Sequence, residues 1–130
     1  MRSKTNIFNK VERIVSRALM EQLFTKGNSR TATAFPLRAV YMERQRTEGV
    51  PPVEVLVSVS KRHFKRAVKR NRVKRQIREA YRLQKQILTV HVPQDRSVAL
   101  AFIWMDDNLC DSAQVSASVR HILKKVSEKL

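Results

Sequence analysis

From Val11 to Lys26 the apolar residues Val11, Ile14, Val15, Ala18, Leu19 and Leu23 recur at spacings of three and four, the repeat of an amphipathic helix. Gly27 follows and can take the left-handed conformation that ends a helix. At about 100° per residue, Met20 and Phe24 point away from that stripe. Two large apolar side chains on an outer face need a second neighbour. Either they pack beneath a loop or the C-terminal helix, or they line a groove. Period two takes over next. "AFPLRAVYME" (34–43) reads as a strand with Pro36 near its start, and "VEVLVSVS" (53–60) as a half-buried strand. "RQRTEGVPP" (44–52) is a loop or hairpin connection between them. A charged helix spans about Phe64 to Leu88, Pro93 breaks the chain, and "VALAFIWM" (98–105) is apolar throughout, as in a central strand covered on both faces. An acidic connection follows, with Asp111 or Ser112 as N-cap. A last helix carries Val115, Val119, Ile122, Leu123 and Val126 on one side. The predicted order is helix, strand, strand, helix, strand, helix.

The charged helix divides its circumference. With Val73 at zero, Ile77, Ala80, Tyr81, Ile87 and Leu88 fall within about 80° of it, an apolar face that can dock on the sheet. Asn71, Arg75, Arg78 and Arg82 lie opposite, at i, i+4, i+7 and i+11. Lys74 and Lys85 widen that row on one flank and Arg72 on the other. Nine of the eighteen residues from Lys65 to Arg82 are Lys or Arg, and only Glu79 is acidic. Like charges at i, i+4 repel, so such a row is tolerable when a polyanion supplies the counter-charge. Arginine suits bidentate phosphate contact and base stacking. Before this helix, Lys61, Arg62, Lys65 and Arg66 sit at the strand-to-helix turn, where free N–H groups also attract phosphate.

Composition sharpens this picture. The chain has 130 residues and a formal charge of +16, half of which the Lys65–Arg82 segment supplies. Its length suits one domain, with residues 1–10 expected to be flexible. No apolar run is long enough for a membrane span. A single cysteine, Cys110, excludes an internal disulfide and fits a reducing, cytoplasmic setting. A polyanionic partner is implied, nucleic acid ahead of membrane.

"SVSKR" followed by "AVKRNRVKRQIREAY" resembles the protein subunit of bacterial ribonuclease P. The family's Arg-Asn-Arg motif, followed by Lys-Arg and a further Arg, falls on Arg70, Asn71, Arg72, Lys74, Arg75 and Arg78. The resemblance extends to "LFTKG" and "FPLRAVYM" and covers about Val11 to Val126. It implies an α+β fold, a compact two-layer α/β sandwich like the second domain of ribosomal protein S5, with a left-handed β-α-β crossover at the basic helix. It implies that Arg70, Asn71, Arg72, Lys74, Arg75, Arg78 and Arg82 bind the catalytic RNA subunit. A cleft between the first helix and the sheet is expected to take the single-stranded 5′ leader of precursor tRNA. Met20, Phe24, Arg38, Lys61, Arg62, Lys65 and Arg66 are the expected leader or phosphate contacts. Met20 and Arg38 stand where the family often has aromatics. The holoenzyme's phosphodiester hydrolysis uses Mg²⁺ held mainly by RNA, with none bound tightly by the protein. One protein per RNA is expected, with no DNA or membrane partner.

The residues themselves offer no catalytic centre. His63, His91 and His121 are scattered, and no Cys/His spacing suits zinc. Asp106, Asp107 and Asp111 are either a weak Mg²⁺ site or, more simply, loop and helix-start residues. From composition alone, a structural or ribosome-associated RNA-binding protein without an enzymatic partner is the competing reading.

Overall fold

In a computed structural model of the protein, residues 12–14, 17–25, 27 and 29–130 are described. The elements are α1 (Arg17–Phe24), β1 (Arg30–Ala34), β2 (Leu37–Gln45), β3 (Val53–Ser58), α2 (Ala67–Gln84), α3 (Gln86–Thr89), β4 (Arg96–Trp104) and α4 (Ser112–Glu128). The expectation for residues 1–10 falls outside the described residues, as do Val11, Val15 and Lys26 of the predicted first helix.

The sheet order is β1-β2-β4-β3. β1 with β2 and β2 with β4 are antiparallel, whereas β3 runs parallel to β4. The apolar run of β4 therefore sits in the middle, and Val98 to Phe102 have no exposed surface. β3 and β4 are joined through α2 and α3, the crossover that a parallel pair requires. The connection between β2 and β3 is thus no hairpin, because β4 separates those strands. Gly49 takes φ +83° in a turn closed by Val50 N–H donating to Thr47 O at 3.2 Å.

Strand alternation sends residues to two faces. On one, Leu37, Ala39, Tyr41, Val53, Val55, Val57, Val98, Leu100, Phe102 and Trp104 join the buried stripes of α2 and α4 in the main core. Val73, Ile77 and Tyr81 of α2 are fully buried, and the Tyr81 ring meets Phe102 edge-on with centroids 6.2 Å apart. Gln76 and Gln84 of α2 tie it to α4: their amides donate to Cys110 O and Ser116 O, both at 3.0 Å. Asp111 caps α4, accepting from Gln114 N–H at 2.8 Å. On the other face, Val40, Ala99 and Ala101 receive Leu19 and Leu23 of α1 together with Ile14. The small alanines let this short helix lie close. Met20 and Phe24 therefore do not pack beneath the C-terminal helix, which belongs to the opposite face.

Three predicted boundaries move. The single strand 34–43 is instead the second arm of a hairpin, with β1 preceding it and Phe35 and Pro36 forming the turn. The first helix begins at Arg17. Ile14 is buried as its spacing requires, but from a segment in which Arg13 bridges Val55 of the edge strand and Ile14 N–H donates to Val55 O at 2.9 Å. The basic helix runs from Ala67 to Gln84 rather than 64 to 88. Phe64 enters the core ahead of it, and Lys85, itself in helical conformation, separates α2 from the short α3.

The expected place of Lys85 needs correction. Steps of about 100° put it on the flank beside the cationic row. Instead its ammonium turns inward to both carboxylate oxygens of Glu12, at 2.9 and 3.1 Å, and both residues are buried. Removing one partner of a buried pair strands the other charge. Lys85→Ala should cost about 3–5 kcal/mol in urea unfolding, while the paired apolar replacement Glu12→Leu/Lys85→Met should be close to neutral.

Candidate nucleic-acid interface

Helix α2 turns its apolar stripe to the core and its glutamines to α4, which leaves one flank to solvent. There Asn71, Arg75, Arg78 and Arg82 line a groove of about 460 Å³ with Glu79 and Arg13. The predicted row is thus brought to one surface, and sequence reasoning missed Arg13. No local signal marks it, since its place depends on residues 12–14 running beside β3. Asn71 and Arg75 are exposed, Arg78 and Arg82 half-buried. Burial, and then repulsion from Arg13, hold the Arg78 guanidinium below its ordinary pKa. Cations gathered this way favour an anion between them. Arg82 departs from the expected bare row. Its Nε donates to Glu79 Oε2 at 3.0 Å, and this hydrogen bond raises its pKa. A surface pair of this kind contributes little to stability.

Arg72 and Lys74 flank the row outside the groove. Arg70, the first arginine of the motif, folds back instead. Its Nη1 donates to Phe64 O at 2.8 Å and Lys65 O at 2.7 Å. It braces the turn that carries Lys61, Arg62, Lys65 and Arg66. Ser60 ties the start of that turn, accepting on its carbonyl from His63 N–H at 3.1 Å and on its hydroxyl from Arg62 N–H at 3.1 Å. Phe64 anchors it in the core, and His63 Nδ1 meets Asp107 Oδ1 at 2.7 Å. All four basic side chains are exposed. Arg66 is the N-cap of α2 and makes no side-chain capping bond, so the first N–H groups of the helix face a cationic turn open to anions.

The leader candidates lie on the other sheet face. Met20 is half-buried against the Leu19–Leu23–Val40 cluster, and Phe24 keeps 50% of its surface exposed at the end of α1. Arg38 is exposed on β2, with Thr33 and Ile103 as its neighbours across the strands. Ser58 continues this row onto β3, beside the chain leading to Lys61. At the opposite end of the face Arg44 is committed to Glu54.

Among the described residues, no group of three or more His, Cys, Asp or Glu could hold a metal ion. Asp106 accepts from Asn108 N–H, Asp107 from His63, and Asp111 caps α4. Each of the three carboxylates thus has a hydrogen-bonding role in the loop or at the helix start. No described helix is long and apolar enough to cross a membrane.

The family model described as Ribonuclease P matches residues 8–127. The chain belongs to the ribonuclease P protein family. It is 38% identical over 121 residues to the ribonuclease P protein component of Porphyromonas gingivalis strain W83, covering 92% of this chain and 85% of that one. It is 36% identical over 132 residues to the component from Chlorobaculum tepidum, covering 95% and 84%. Two solved structures share the fold. The Thermotoga maritima ribonuclease P protein aligns with a TM-score of 0.66 at 18% identity, covering 88% of this chain and 96% of that one. A Staphylococcus aureus ribonuclease P protein mutant, described as defective in mRNA degradation, aligns with a TM-score of 0.64 at 22% identity, covering 90% and 89%. The α+β fold expected from the sequence is therefore the fold of the ribonuclease P proteins.

Arg70 separates positioning from contact. Arg70→Ala should free the turn, removing charge-assisted bonds worth about 1.5–3 kcal/mol. Hydrogen exchange at residues 61–66 should accelerate at least tenfold while the amides of β4 stay protected.

Proposed function

We propose that this chain is the RNA-binding subunit of a ribonuclease P ribonucleoprotein, gripping the catalytic RNA with α2 and the 5′ leader of precursor tRNA with the opposite sheet face. The observation that carries this reading is the groove in which Arg13, Asn71, Arg75, Arg78 and Arg82 converge on a chain of charge +16. Arg72 and Lys74 extend that grip, and Arg70 keeps the adjoining turn in shape. Lys61, Arg62, Lys65 and Arg66 offer phosphate contacts. Phe24, with Met20 and Arg38 on the same face, offers a stacking surface to unpaired bases. Base–aromatic stacking contributes about 1–3 kcal/mol per base and tolerates any sequence. That matches a leader which differs from one tRNA to the next.

The protein's own work in this assembly is electrostatic and positional. It neutralises phosphates where two RNAs approach, and it holds the leader extended. The RNA subunit, with magnesium bound by its phosphates, supplies phosphodiester hydrolysis. One protein per RNA in the cytoplasm is the simplest assembly, with the holoenzyme's ions held by RNA rather than by this chain.

Reconstitution tests the reading. Adding the protein to the catalytic RNA at low Mg²⁺ should restore cleavage of precursor tRNA, and a protein without effect would point to a structural RNA-binding role. Affinity for the RNA subunit should fall with salt. Four phosphates neutralised by the arginines of the groove give a log–log slope of about −3, and a flat response excludes the mechanism. Arg75→Ala and Arg78→Ala should each weaken RNA-subunit binding about tenfold or more. Phe24→Ala should leave that binding intact and instead reduce the preference for leader-bearing over mature tRNA by about tenfold.

A further inference from the structure

Phe35 is used by neither surface. Among the described aromatic residues only it and Phe24 are strongly exposed, Phe35 at 66%. Its backbone is held firmly. Ser118 Oγ of α4 donates to Phe35 O at 3.2 Å, Lys125 Nζ donates to Thr33 O, and Met105 N–H donates to Pro36 O at 2.8 Å. The hairpin tip is thus pinned to α4 and β4 while its ring is turned outward. Beside the ring lies a recess of about 310 Å³ walled by Ala34, Gln114, Ala117, Ser118, His121 and Lys125. Ala34 and Ala117 leave room next to the ring. Gln114 brings an amide able to donate and accept, and Lys125 keeps two further N–H donors. Arg120 and Lys124 are exposed on the same helix, whose single acid is Glu128.

We propose that Phe35 and the adjoining face of α4 form a further attachment point for the catalytic RNA, where an unpaired nucleobase stacks on the ring. The flanking phosphate meets Lys125, with Arg120 and Lys124 adding charge, and the Gln114 amide reaches the base edge. A planar apolar ring inside a cationic border matches a base joined to a phosphate. A second copy of this chain fits poorly, because two molecules of charge +16 would bring like charges together. The leader is the lesser candidate among RNAs. Its expected contacts lie on the opposite sheet face, whereas α4 shares a layer with the α2 groove. The choice of partner rests on the proposed function.

The test compares Phe35→Ala, Phe35→Leu and Phe35→Trp with Arg75→Ala, reading affinity for the catalytic RNA and cleavage of precursor tRNA by the reconstituted holoenzyme. Because the ring is exposed, the Phe35 variants should keep the parent melting temperature. Phe35→Ala should weaken RNA binding about tenfold. Phe35→Leu, apolar but not planar, should be equally weak, and Phe35→Trp should restore binding. Benzoylphenylalanine placed at position 35 should photocrosslink to the catalytic RNA. Unchanged affinity for Phe35→Ala beside a weakened Arg75→Ala would overturn this proposal and leave the functional reading standing. Unchanged affinity for both would overturn the functional reading itself. A loss confined to leader-bearing substrate, or a dimer in sedimentation that Phe35→Ala dissolves without changing RNA affinity, would assign the patch to another partner and sink the proposal.

Discussion

A helix with nine cations in and just before its length docks on protein only because a third of its circumference is free of them. Val73, Ile77, Ala80 and Tyr81 are buried to 5% exposure or less, and each large apolar side chain so placed is worth about 1.5–3 kcal/mol. Against this stands the mutual repulsion of Arg75, Arg78, Arg82 and their neighbours, a few tenths of a kcal/mol per pair in water. Burial wins comfortably, so the free protein can carry this cationic ridge and remain folded. The same arithmetic explains the flank facing α4, where Gln76 and Gln84 stand in place of arginines and hydrogen-bond across the helix–helix seam.

Much of this was legible in the sequence because period and position agree. The run 98–105 had to be central, and β4 is. The stripe Val115, Val119, Ile122, Leu123, Val126 had to be buried, and every member is. The apolar face of α2 and the opposing row of Asn71, Arg75, Arg78 and Arg82 follow from helical angle alone. The failures share a cause. β1 is built of Arg, Thr and Ala, whose side chains give almost no alternation to detect, and its pairing with β2 is what makes it a strand. Lys85 was misplaced because helical angle says nothing of Glu12, a carboxylate more than seventy residues away that draws its ammonium inward. Arg13 joins the groove, and Arg70 braces the adjoining turn, for reasons of tertiary geometry that local pattern does not carry.

The two sides of the sheet support different chemistry. One is closed by two long helices, and what they turn outward is dominated by charge. The other is covered by a helix of 8 residues, so backbone-anchored side chains such as Arg38 and the exposed Phe24 remain reachable between α1 and the strands. Cationic ridges bind a duplex or a folded backbone well, because phosphates are regularly spaced along it. Single strands also need flat apolar surfaces. Phe24 and Phe35 are the described aromatic residues that provide them.

The sheet order also imposes a schedule on synthesis. Among the described residues, β3 has no neighbour in the sheet except β4 and Arg13, and β4 lies beyond the whole of α2. A ribosome must therefore extrude the polycationic helix before the central strand beneath it exists, and α4, its other support, follows later still. Until β4 and α4 emerge, that helix is an undocked basic segment travelling beside ribosomal RNA. Premature termination would release a sticky polycation rather than a partly working subunit.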